Sequence, residues 1–198
     1  GFRLAGLRAC ELAGVAPNEI EHRELYSCFP SAVRMQLREL GLEASRPISW
    51  TGGMACHGGP LNNYVLQCAA RMPELLRADP GSRALLTAVS GILTKQGASV
   101  WSTRPPEAGF QFADQSAEAE RATPAVAIAE ASRGDALIAS YTVLYQGDEP
   151  ARAVALCDLP TGERAIATSE DKALAAAMTQ SEICGRSARL LPDAHFEL

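Results

Sequence analysis

The chain has 198 residues, 47% of them hydrophobic and 21% charged, with a formal net charge of −5 and a pI near 5.3. That length fits one large or two small globular domains. The acidic balance argues against a general nucleic-acid binder, and no apolar run approaches the ~18 residues of a membrane span.

No stretch reads as a signal peptide. The six cysteines, at 10, 28, 56, 68, 157 and 184, are spread without CxxC spacing, which favours reduced thiols in a cytoplasmic protein over a disulfide frame or a zinc site. The first residue is Gly1, and a helical pattern (Leu4, Leu7, Arg8, Leu12) begins almost at once. We therefore expect a fragment of a longer protein whose N-terminal partner half is missing.

Residues 3–13 read as an amphipathic helix stopped at Gly14, and Ile20 to Tyr26 as a short strand. A second helix is expected over about 30–40, capped by Ser27 or a neighbour and stopped at Gly41. A polar connection, 43–50, leads to a glycine-rich loop and a third helix that runs to about Ala78, kinked or shortened by Pro73. Arg83 to Val89 and Gly97 to Thr103 read as strands paired across Ser90–Gln96. This alternation argues for an α/β unit with a mixed sheet.

The character changes after Arg104-Pro105-Pro106. We read 1–104 as one domain, 105–133 as a linker and 134–198 as a small second domain. In the last of these, strands are expected at 136–145, 151–157 and 163–168. A short alanine-rich helix follows at 170–177 behind a Ser169-Glu170-Asp171 cap, and two final strands at 185–191 and 194–198. Three strands, a helix and two strands is the order of a small OB-like five-stranded β-barrel.

The loop Thr51 to Gln67 organises the first domain. Gly52, Gly53, Gly58 and Gly59 free its backbone, Pro60 suits the first position of a helix, and His57 sits between the glycine pairs. A glycine loop feeding a helix N-terminus presents unpaired N–H groups to a ligand or partner, or is simply a tight structural turn.

Two segments resemble a known family. Glu24-Leu25-Tyr26-Ser27-Cys28-Phe29 resembles the Glu-Leu-His-Asp-Cys-Phe segment of sterol-carrier-protein-type thiolases, and Gly52 to Leu61 resembles their Gly-Gly-x-x-x-x-Gly-His-Pro-Leu segment. The hairpin at 83–103 resembles the one that carries the thiolase Cys-x-Gly motif. The resemblance implies the C-terminal αβα half of a thiolase fold, and the tail resembles the extra C-terminal domain of some bacterial thiolase-like proteins.

Thiolases use a nucleophilic Cys from the N-terminal half, a His that activates it, a second Cys that moves a proton, and an oxyanion hole. By position, the Gly-His-Pro His falls on Gly59, the His-Asp-Cys-Phe His on Tyr26, and the Cys-x-Gly Cys on Ser90 or Gly91. Glycine moves no proton, Tyr is a poor base near neutral pH, and Ser lacks comparable acidity. The degenerate catalytic positions are therefore Tyr26, Ser90 and, as a relocated base two positions before Gly59, His57. For His57 the plainer reading is a loop histidine bonded to carbonyls; for Tyr26 it is a packed ring filling the space of the lost His.

Other candidates have plainer readings still. Cys28 and Cys56 read as small buried apolar residues. His22 and His195 lack clustered ligands, so no metal is expected. Lys95-Gln96 reads as a solvated turn, and Asp148-Glu149 and Glu170-Asp171 as turn and cap acids.

The resemblance implies an acyltransferase of the acetyl-CoA acetyltransferase kind with a degenerate site, working in lipid metabolism in the cytoplasm. The alternative is a non-catalytic acyl-CoA-binding or protein-interaction module on a thiolase scaffold. A coenzyme A thioester is the implied substrate, and no cofactor is bound permanently. The implied partners are the missing N-terminal half and, through the barrel, a second copy or another subunit.

Overall fold

A computed structural model describes residues 1–198, which form two compact units, Gly1–Thr123 and Pro124–Leu198. The stretch 105–133, marked by composition as a linker, spans that division. It holds a short helix, Ser116–Ala122, that its polar sequence does not announce.

In the first unit, α1 (Phe2–Leu12), β1 (His22–Glu24), α2 (Pro30–Leu40), α3 (Met54–His57), α4 (Tyr64–Ala78), β2 (Arg83–Ser90) and β3 (Lys95–Ser102) follow in order. Strand order is β1-β2-β3, with β1 parallel and β3 antiparallel to β2. Alternation along β2 assigns its two faces. Leu85 packs with Cys10 of α1 and Leu40 of α2, while Ala84 and Leu86 face Met72, Leu76, Tyr64 and Cys68 of α4. The result is an α/β/α layering.

Several local expectations are corrected. β1 spans only three residues, because its neighbour β2 offers a parallel edge only to His22, Arg23 and Glu24. The N-cap of α2 is Phe29, without a side-chain bond, since Ser27 is engaged elsewhere. Pro60 precedes a 3₁₀ turn (Leu61–Asn63) rather than opening α4. α4 runs on through Pro73 to Ala78, held by its buried face Tyr64, Cys68, Met72 and Leu76 at helical spacing.

In the second unit, β4 (Gly134–Gln146), β5 (Glu149–Asp158), β6 (Arg164–Ser169), α6 (Lys172–Gln180), β7 (Ser187–Leu190) and β8 (Phe196–Glu197) follow α5 (Ser116–Ala122) of the first unit. The five strands form one antiparallel sheet, β6-β5-β4-β7-β8. The sheet curls into a half-barrel whose outer strands meet at a parallel bridge between Thr168 and His195. Ala175 and Met178 of α6 close the core with Ile138, Ala155, Cys157 and Phe196. Asp171 caps α6 by accepting from the Ala173 N–H at 2.8 Å and the Leu174 N–H at 3.2 Å.

Candidate functional site

The glycine loop lies beyond the end of β1, and what holds it there is a carboxylate. Glu24, the last residue of β1, is fully buried. Its Oε1 accepts from the hydroxyls of Ser49 (2.7 Å), Thr51 (2.9 Å) and Tyr64 (3.2 Å). Its Oε2 accepts from the N–H groups of Trp50 (2.9 Å) and Thr51 (3.1 Å). Five donors on one carboxylate satisfy a buried charge without a cationic partner.

The network extends into the loop. The Ser49 oxygen accepts the Gly53 N–H at 2.9 Å, and the Ser27 oxygen accepts the Met54 N–H at 2.9 Å. Ser27 and Tyr64 hydroxyls are 3.2 Å apart; with Tyr64 donating to Glu24, the Ser27 proton goes to the Tyr64 oxygen. Gly53 has φ +73°, and a Cβ there would lie 2.9 Å from the Ser27 oxygen, so both the turn and the close approach require glycine. Cys68 is buried beside the network. Burial first, then the Glu24 charge, pushes its thiol pKa up to about 11, and burial pushes the Tyr64 phenol up to about 12.

Of the two readings of the loop, these bonds fit the tight structural turn rather than the donor-rich one. The Gly53 and Met54 N–H groups serve side chains of the protein, and those of Cys56, His57 and Gly58 bond back to the Gly53 and Met54 carbonyls at 2.9–3.1 Å. With only four residues, α3 closes on itself.

The predicted site residues are placed as follows. Tyr26 is half-buried, its ring edge-on to Tyr64 with centroids 5.5 Å apart. Its N–H donates to Thr87 at 2.8 Å and its carbonyl accepts from Gln36 at 2.8 Å. Burial, its largest cause, raises the Tyr26 pKa, so still less of the basic phenolate is present near neutral pH. His57 is exposed at the end of α3. Gly59 is exposed, and Ser90 and Gly91 are exposed where β2 turns into the hairpin. Gly52, Gly58 and Gly91 take positive φ, as does Gly53. Cys56, on the surface helix α3, is exposed, and Cys28, in the connection between β1 and α2, is half-buried rather than fully buried.

Sequence reasoning missed Glu24 as the centre, together with Ser49, Thr51 and Tyr64. The signal was present in two hydroxyl residues bracketing Trp50 just ahead of the glycines, and in an acid inside a strand.

In chain order the structure presents an α/β/α layer with this glycine loop and then a curled five-stranded sheet. Comparison with known proteins makes the class specific. Residues 117–195 match the additional C-terminal domain of thiolase-like protein type 1. Over 96% of its length the chain superposes on a crystal structure of a monomeric SCP2-thiolase-like protein type 1 from Mycobacterium smegmatis, with a TM-score of 0.85 and 29% identity. The chain covers 43% of that protein's length. A search of curated proteins found no match. The chain is thus similar to a thiolase-like protein over nearly its whole length, and its residues 117–195 match this additional C-terminal domain.

Proposed function

We propose that this chain is the C-terminal part of a thiolase-like protein that holds an acyl-CoA thioester without performing the thiolase condensation. The observation that carries this reading is the fate of the proton-transfer positions. Tyr26 is a phenol with a raised pKa packed on Tyr64, Gly59 has no side chain, and Ser90 is exposed at the end of β2. The hydroxyl protons of the neighbouring network are committed to Glu24 and Tyr64, so none of these hydroxyls is free to shuttle a proton. The nucleophile and most CoA contacts belong, on this reading, to an N-terminal thiolase half. Six free thiols are consistent with a cytoplasmic setting.

A second reading is kept by one observation. His57 is exposed and therefore accessible to a substrate, so an acyl transfer with His57 as a relocated base is its competitor. The experiment pairs calorimetric titration of acetyl-CoA and a longer acyl-CoA with a thiol-release assay, on the protein carrying both halves and on its His57→Ala variant. We expect binding without turnover in both. Turnover that falls ~100-fold or more in the variant would make the protein a working acyltransferase. Absence of binding to either thioester would end both readings.

A further inference from the structure

β4 is the longest strand of the chain, at 13 residues, and it is paired on both edges for only part of that length. β5 runs beside it from Leu137 to Gln146. On the other edge, β7 reaches only Gly134 to Leu137, and Ile138 makes the last backbone bonds, to Gly185 and Arg186. From Ser140 onward β5 is the only strand neighbour of β4. Register shifts at Ile138/Ser140 and Leu144/Tyr145 bracket a regular stretch, Ser140–Leu144, paired to Leu156–Arg152.

A free strand edge is a template for another strand, and proteins blunt such edges with charge, Pro or bulges such as those flanking this stretch. Ser-Tyr-Thr-Val-Leu has none of these, and its β-branched and aromatic residues suit a strand. The arm is also anchored: the Tyr141 hydroxyl donates to the Ser181 carbonyl at 3.1 Å. Thr142 and Leu144 stay exposed.

We propose that the Ser140–Leu144 edge of β4 accepts an extended segment of another protein as an added antiparallel strand, one with Lys or Arg at its N-terminal end. Charge selects this occupant. The tip of the β4–β5 arm carries Asp148 and Glu149, neither of them in an ion pair, while the nearby Arg152 is already paired with Glu170. An antiparallel segment brings its N-terminal end over that acidic tip. Backbone bonds along the edge supply affinity, and side chains alternate above and below the sheet. A second copy of β4 paired antiparallel with itself would instead bring the N-terminal end of its own β4, with Asp135, toward the acidic tip.

The test uses the whole 198-residue chain, isotope-labelled, and two synthetic peptides: Lys-Lys-Thr-Val-Thr-Val-Thr and the same sequence with Glu-Glu in place of Lys-Lys. The expected result is slowed amide exchange confined to Ser140–Leu144 with the basic peptide. Affinity should be at least tenfold weaker for the acidic peptide, and that difference should shrink in an Asp148→Asn/Glu149→Gln variant. N-methylation of the peptide backbone on its pairing edge should abolish binding, a result that needs no change to the protein's own fold. No binding up to about 1 mM, binding indifferent to N-methylation, or edge protection that appears with rising protein concentration alone would each overturn the proposal, the last in favour of self-pairing.

Discussion

The two units solve the problem of a folded sheet with different chemistry. The second packs its curled sheet with Ala153, Ala155, Ala167, Ile138, Met178 and Phe196, and its one buried polar residue is Ser169. The first buries six: His22, Arg23, Glu24, Gln36, Ser82 and Thr87. An apolar core is stabilised by area and tolerates exchange of similar volumes. A buried polar network is all-or-none, since removing one acceptor strands every donor aimed at it. The first unit therefore trades tolerance for a fixed loop geometry, which is what a binding site requires and a barrel core does not.

The sharpest way to test that contrast is Glu24→Ala. It leaves three hydroxyls and two N–H groups without an acceptor, at a cost of about 3–5 kcal/mol. Amide exchange should show protection lost at Leu85 and Leu86 of β2, with Ala155 and Ala167 unchanged. Equal loss in both units would break the comparison. The matching change in the second unit, Ile138→Ala, removes a side chain that is 1% exposed and should cost about 2–4 kcal/mol, almost all of it cavity and transfer energy. Restoring volume with Ile138→Leu should recover most of that loss, whereas Glu24→Gln, similar in size to Glu24, should not rescue the first unit to the same degree.

The sequence made the second unit more legible than the first for the same reason. Alternating apolar strands and turn residues announce a barrel, and Asp171 was readable as a cap. In the first unit the helices and the β2–β3 hairpin were equally plain. His22-Arg23-Glu24, however, reads as a polar surface strand, and only the fold reveals that all three are buried. Burial there is decided by residues far away in sequence, Thr51, Tyr64 and Asp79. Periodicity sees side chains on one element; it does not see donors converging from three. The resemblance to thiolases singled out the loop because the motif is local, but whether its N–H groups were free was not legible in the glycines, and Ser49 and Ser27 occupy those of Gly53 and Met54.

Alkaline pH separates the units more gently. The Tyr64 phenol is raised to about 12 and the Cys68 thiol to about 11 in the folded state, while in the unfolded chain they ionise near 10 and 9. Below pH 9 both states hold these protons and no difference arises. Above it the unfolded state loses protons that the folded state keeps, so stability falls as pH rises toward about 12. Urea titrations between pH 8 and 11 should show this decline in the first unit. Tyr64→Phe should remove the part due to the phenol and, by deleting one donor to Glu24, lower stability at neutral pH by about 1–2 kcal/mol.

The smallest expected effect tests whether every buried charge in the first unit is needed in the same way. Arg23 is as buried as its neighbour Glu24, yet its partners are the Glu43 carbonyl and the Asn18 side-chain oxygen, both at 3.2 Å. Its Nε has no partner at all, and it forms no ion pair with a carboxylate. Desolvation of such a cation is poorly offset, and apolar replacement of buried charge is often neutral. Arg46 independently ties the same region by donating to the carbonyls of Asn18 (2.7 Å) and Ile20 (3.0 Å). Arg23→Met should thus change stability by about 1 kcal/mol or less, several-fold below Glu24→Ala one residue away. If the two variants prove equally damaging in the same urea titration, burial of charge as such, and not convergence of donors on one acceptor, is what makes the first unit intolerant.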